Sequence, residues 1–113
     1  MIYSMHEIDA AVSTRFQLHP WELRSPDRAR RVARPRQIAM FLCREYGKPY
    51  TLIGRHYSKD HTTILHGVRR IRALTQADPE MGRQIAGVRE ILALRPSWRA
   101  VRVTELYTAL PAE

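Results

Sequence analysis

Residues 60–74 constrain the fold more than any other stretch of this chain. Ile64, Leu65, Val68, Ile71 and Leu74 recur at helical spacing, so one face of a helix is apolar while Arg69, Arg70 and Arg72 follow in a basic run. Asp60 stands where an N-cap belongs, and His61, Thr62 and Thr63 then fill an exposed first turn. Hydrogen-bonding side chains at the leading end and an apolar face behind are the build of a recognition helix, whose N-terminal residues meet base edges.

The rest of the chain supplies helices for this one to pack against. Ser4 followed by Glu7 makes a capping box for a helix over about residues 5–17, with Ile8, Val12 and Phe16 on one face. Residues 18–23, with Pro20 and Trp21, suit a short helical turn. Residues 24–36 hold six arginines and a single acid, Asp27, and read as a loop bracketed by Pro26 and Pro35. Pro35 suits the first turn of a third helix running to about Tyr46, where a missing N–H is harmless; Gly47 and Pro49 end it. Residues 51–57 predict a short helix, Ser58 and Lys59 a tight turn, and Asp60 the start of the next helix: a helix-turn-helix. Asp78, Pro79 and Glu80 open another, with Met81, Ile85, Val88 and Leu92 as its stripe. No strand-like alternation is convincing. The expected fold is all-α, a small bundle of about six helices, with residues 1–95 as the domain and 96–113 as a C-terminal extension. In that extension Trp98, Val101, Leu106 and Leu110 make either a short helix packed on the domain or a tail that docks on a partner or a second copy.

Charge narrows the class of partner. The 113 residues carry 19 Lys and Arg against 11 Asp and Glu, a net charge of +8, and 17 of the 19 basic residues are arginine. Such an excess points to a polyanion, and the planar guanidinium favours forked contacts to phosphate or guanine. The lone cysteine, Cys43, excludes an internal disulfide and, among Ile38, Ala39, Leu42 and Tyr46, reads as a buried inert thiol of a reducing compartment. No apolar run approaches membrane-spanning length and residues 1–6 do not open a secretory signal, so a cytoplasmic, nucleoid-associated location with no membrane partner is expected.

Catalysis and metal binding find little support. Glu7, Asp9, Glu22 and Asp27 are scattered and fit caps or surface positions, so an enzyme is not expected. His56, His61 and His66 are evenly spaced, but five-residue steps rotate a helix by about 140° each, so they share no face. No metal or cofactor is expected.

Two blocks carry a resemblance: VARPRQIAMFLCRE at residues 32–45 and DHTTILHGVRRI at residues 60–71. In this order and spacing they resemble the C-terminal DNA-binding domain of the bacterial replication initiator DnaA family over about residues 7–94. The resemblance implies a Trp-repressor-like helix-turn-helix bundle bound to double-stranded DNA. It implies a minor-groove arginine at Arg28, with Arg30, Arg31 and Arg34 near it, and the narrow A·T-rich groove is where a guanidinium is attracted. Arg36 and Gln37 are placed beside the DNA, and Arg44 at a phosphate. In the major groove it implies base and backbone contacts from Asp60, His61, Thr62, Thr63 and His66, with Lys59 in the preceding turn.

Three features depart from the family pattern. Residues 46–51 are one residue short, with Pro49 near the position of a capping serine. The turn at Ser58 and Lys59 is also short and lacks a glycine. No GxxxxGK[ST] motif occurs, so no nucleotide is expected and the chain reads as a DNA-binding unit without the family's ATPase module. The expected function is sequence-specific binding of sites like the initiator's boxes, in replication or transcription control. The alternative is an interaction module that uses residues 97–113 to bind the replication machinery or itself, with DNA binding secondary or non-specific.

Overall fold

A computed structural model describes residues 3–94, and among them it shows six helices and no strand: α1 (Met5–Phe16), α2 (Pro20–Leu23), α3 (Arg30–Glu45), α4 (Tyr50–Tyr57), α5 (His61–Ala77) and α6 (Pro79–Ala93). The expected extension at 96–113 lies outside the described residues. No described helix is long and apolar enough to cross a membrane.

Local signals set most of the boundaries. Ser4 Oγ accepts from the Glu7 amide at 3.0 Å while Glu7 Oε1 accepts from the Ser4 amide at 2.7 Å, so the α1 capping box forms in full. At α6 the Asp78 carboxylate accepts from the Glu80 amide at 3.0 Å and Pro79 takes the first helical position. Its stripe of Met81, Ile85, Val88 and Leu92 is buried as the spacing requires.

The start of α3 is a correction. The helix begins at Arg30, so Pro35 lies inside it and buried, not in its first turn. The Asp27 carboxylate accepts from the Ala29 amide at 2.8 Å, and Ala29 offers its carbonyl to Val32 and Ala33, so the helix is initiated well before the proline. Burial of Val32 rewards the extra turn. Arg30, Arg31 and Arg34 are therefore helical, and the loop proper shrinks to the residues between α2 and Arg30.

α3 is the central helix. It packs on α1, α2, α4 and α5, while α6 closes the bundle against α1 and α5. Ile38, Ala39, Leu42 and Cys43 of α3 meet Ile8 and Val12 of α1, Ile53 and Tyr57 of α4, and Ile64, Val68 and Ile71 of α5 in one core. Each large side chain so removed from water contributes roughly 1.5–3 kcal/mol. Burial pushes the Cys43 thiol up to about 12, in keeping with an unreactive core residue.

Asp9 is a second correction. Expected at a cap or on the surface, it is fully buried in α1. Its carboxylate accepts from Arg24 Nη1 at 2.8 Å, from His56 Nε2 at 2.6 Å and from the Tyr57 hydroxyl. A buried carboxylate persists only with such partners.

Candidate nucleic-acid interface

The helix-turn-helix is built from α4 and α5. Ser58 ends α4 in the left-handed region at φ 55°, and the Lys59 amide turns back to donate to the Gly54 carbonyl at 2.8 Å. Gly54 permits this: a Cβ there would lie 2.6 Å from the Lys59 carbonyl oxygen. Asp60 is extended at ψ 143° and α5 starts at His61. Asp60 occupies the N-cap position, but its side chain makes no cap hydrogen bond. It meets His61 Nδ1 at 3.2 Å instead, with both side chains about two-thirds exposed. The capping role expected of its carboxylate is thus not observed, which leaves the carboxylate facing outward.

α5 divides cleanly into two faces. Ile64, Gly67, Val68 and Ile71 are buried. At about 100° per residue, Thr62, His66, Arg69 and Ala73 lie on the opposite strip, and all four are exposed. His61 and Thr63 flank this strip, also exposed. Lys59, Asp60 and His61 line one open cleft of about 390 Å³ with Thr51, Gly54, Arg55 and Ser58. Further along, His66, Arg69 and Arg70 border a shallow depression of about 570 Å³.

The arginine segment reaches this helix through α3. Arg34 has its proton affinity lowered by burial and then by the nearby charges of Arg30 and Arg70. Arg30 and Arg34 in the first turns of α3 and Arg70 on α5 thus form one electropositive group, an arrangement that phosphate would relieve. Gln37 is half-buried, with its side chain against α5 at Gly67, where an added Cβ would lie 3.6 Å from Gln37 Cγ. Arg28 is exposed in the loop ahead of α3. Arg31 is exposed too, and Nη2 donates to Glu22 Oε1 at 2.9 Å. Arg44 is exposed at the other end of α3. It donates to the Lys48 carbonyl at 3.2 Å and lies over the Tyr50 ring at 4.6 Å.

Arg36 does not belong to this surface, which corrects its expected place beside DNA. It is 5 % exposed. Its Nε donates to the Leu23 carbonyl at 2.8 Å and its Nη2 to the carbonyls of Ser25 at 2.7 Å and Glu22 at 3.5 Å. Helix phase explains it: Arg36 falls on the side of α3 that packs against α2. Arg55 and Arg70 are the additions, and the signal for Arg70 was present, since it follows Thr63 by two helical turns.

Residues 5–71 match the family described as "Bacterial dnaA protein helix-turn-helix". Similar relatives are chromosomal replication initiator proteins DnaA. The one from Sphingopyxis alaskensis is 41% identical over 91 residues, covering 79% of this chain and 20% of the relative. That of Ruegeria sp. (strain TM1040) is 36% identical over 91 residues, covering 79% and 19%. That of Rickettsia bellii is 34% identical over 93 residues, covering 80% and 20%. The chain spans about a fifth of the length of the curated relatives it matches.

Proposed function

The chain belongs to the bacterial DnaA helix-turn-helix family, and from that premise we propose that it binds double-stranded DNA sequence-specifically. The first two turns of α5 read base edges in the major groove, through His61, Thr62, Thr63 and His66, with Asp60 accepting from an exocyclic amino group. Arg28 enters the neighbouring minor groove. Arg30, Arg34, Arg70 and Arg44 meet phosphates, while Lys59 and Arg55 flank the backbone beside the turn. The observation that carries this reading is the face of α5 turned away from the core, where Thr62, His66 and Arg69 are exposed opposite the buried Ile64, Val68 and Ile71. The net charge of +8 supports it.

The sites are boxes like those of the initiator, and the process is control of replication or transcription at the nucleoid. Selection from randomised duplexes at near-physiological salt tests this. An enriched motif that outcompetes unrelated duplex is expected, and a pool that stays random overturns it. Affinity should fall steeply with salt, by about 0.9 in the log–log slope for each phosphate neutralised.

A further inference from the structure

Asp9 ties α1 to the end of α2 and to the end of α4 from inside the core. Its side chain is 0 % exposed, deep between α1 and its neighbours. The carboxylate can only accept, so the three groups around it are donors. Arg24 Nη1 at 2.8 Å and His56 Nε2 at 2.6 Å share Oδ2, and the Tyr57 hydroxyl takes Oδ1. The Asp9 backbone carbonyl is bound in turn by Ser13 Oγ. Among the described residues no buried side-chain polar atom is left without a partner, so the cluster is closed and geometrically determined.

What matters is where those donors sit. Arg24 is the C-cap of α2 and the first residue of the segment that leads to Arg28. His56 and Tyr57 are the last two residues of α4, directly ahead of the Ser58 and Lys59 turn that aims α5. Arg36 grips the other side of the arginine segment through the Leu23 and Ser25 carbonyls. Resting on the DNA-binding reading above, we propose that Asp9 is a positioning residue. Through Arg24 on one side and His56 with Tyr57 on the other, it sets the distance and angle between the minor-groove arginine and the recognition helix. A simple core residue would support both halves equally; this one spans the joint between them.

The test uses the full chain with Arg24→Gln and Arg24→Lys, each checked by circular dichroism and melting. Arg24 is 32% exposed, so water can replace it and the variants fold. For Arg24→Gln, affinity for the enriched duplex should fall about tenfold, within the range of coupled contacts. Selection should then lose base preference in the flank read by Arg28 and keep it at the positions read by Thr62. Adding Arg28→Ala to Arg24→Gln should cause little further loss. Arg24→Lys, which keeps a cation beside the Asp9 carboxylate, should recover most of the flank preference. A uniform loss across all duplexes, or full additivity with Arg28→Ala, overturns the assignment. A wild-type chain that enriches no motif overturns instead the reading on which it rests.

Discussion

Arg36 Nε donates to the Leu23 carbonyl at 2.8 Å, and this bond from a buried guanidinium holds α2 against α3. Arg36→Ala would leave that carbonyl and the Ser25 carbonyl without their donor. Each unsatisfied buried acceptor costs about 1–3 kcal/mol, so a loss of about 2–4 kcal/mol is expected in urea unfolding. Lysine cannot reproduce the fork and should rescue little. The salt slope of DNA binding by the folded variant should be unchanged, which separates a structural arginine from a phosphate contact.

Thr62 and Arg44 should fail in different ways. Thr62→Ala should lower discrimination between the enriched duplex and single-base variants by about 1–3 kcal/mol at one or two positions. Arg44→Ala should weaken every duplex alike and reduce the salt slope by about 1. Titrations at several salt concentrations distinguish the two.

Gly54 and Gly67 predict opposite sensitivities. Alanine at Gly54 would place Cβ 2.6 Å from the Lys59 carbonyl oxygen, a backbone atom of the turn itself. The roughly 1 kcal/mol of helix propensity gained over glycine does not offset that clash. Gly54→Ala should therefore destabilise by about 2 kcal/mol or more and impair DNA binding beyond the loss of folded protein. At Gly67 the close atom is Met40 Cε, at 2.7 Å, the end of a flexible side chain. Gly67→Ala should cost less than about 1 kcal/mol.

Alkaline pH should unfold the protein through its core. An unfolded thiol ionises near 9.0, whereas burial holds Cys43 up to about 12 in the fold. Between these values unfolding releases a proton, so stability falls as pH rises, by about 1.4 kcal/mol per unit. Tyr57, raised well above 10.0 by burial, adds a second such dependence at higher pH. Cys43→Ala should flatten the curve between about pH 9 and 10, read by urea midpoints. At pH 8 the native thiol should resist alkylation.

Legibility in the sequence followed how local the determining contacts were. The capping box at Ser4 and Glu7 and the Asp78, Pro79 and Glu80 start are short-range, and periodicity alone separates the buried Ile64, Val68 and Ile71 from the exposed Thr62 and His66. The start of α3 lies earlier than the sequence suggests because Pro35 is a strong local signal, while the contact that precedes the helix, Asp27 to Ala29, is a weak one. The burial of Arg36 is not legible in the sequence because its acceptors are backbone carbonyls, which leave no trace in residue type. Asp9 escaped for a different reason. Its partners lie on α2 and α4, and nothing beside it in α1 marks a carboxylate that has left the solvent.

Pro35 lies inside α3 and carries no amide hydrogen, so the carbonyl one turn earlier, at Arg31, lacks its usual helical donor. The ladder is interrupted between the basic opening turn and the packed remainder. Amide exchange at Arg34 and earlier positions should consequently be fast relative to the residues beyond Phe41.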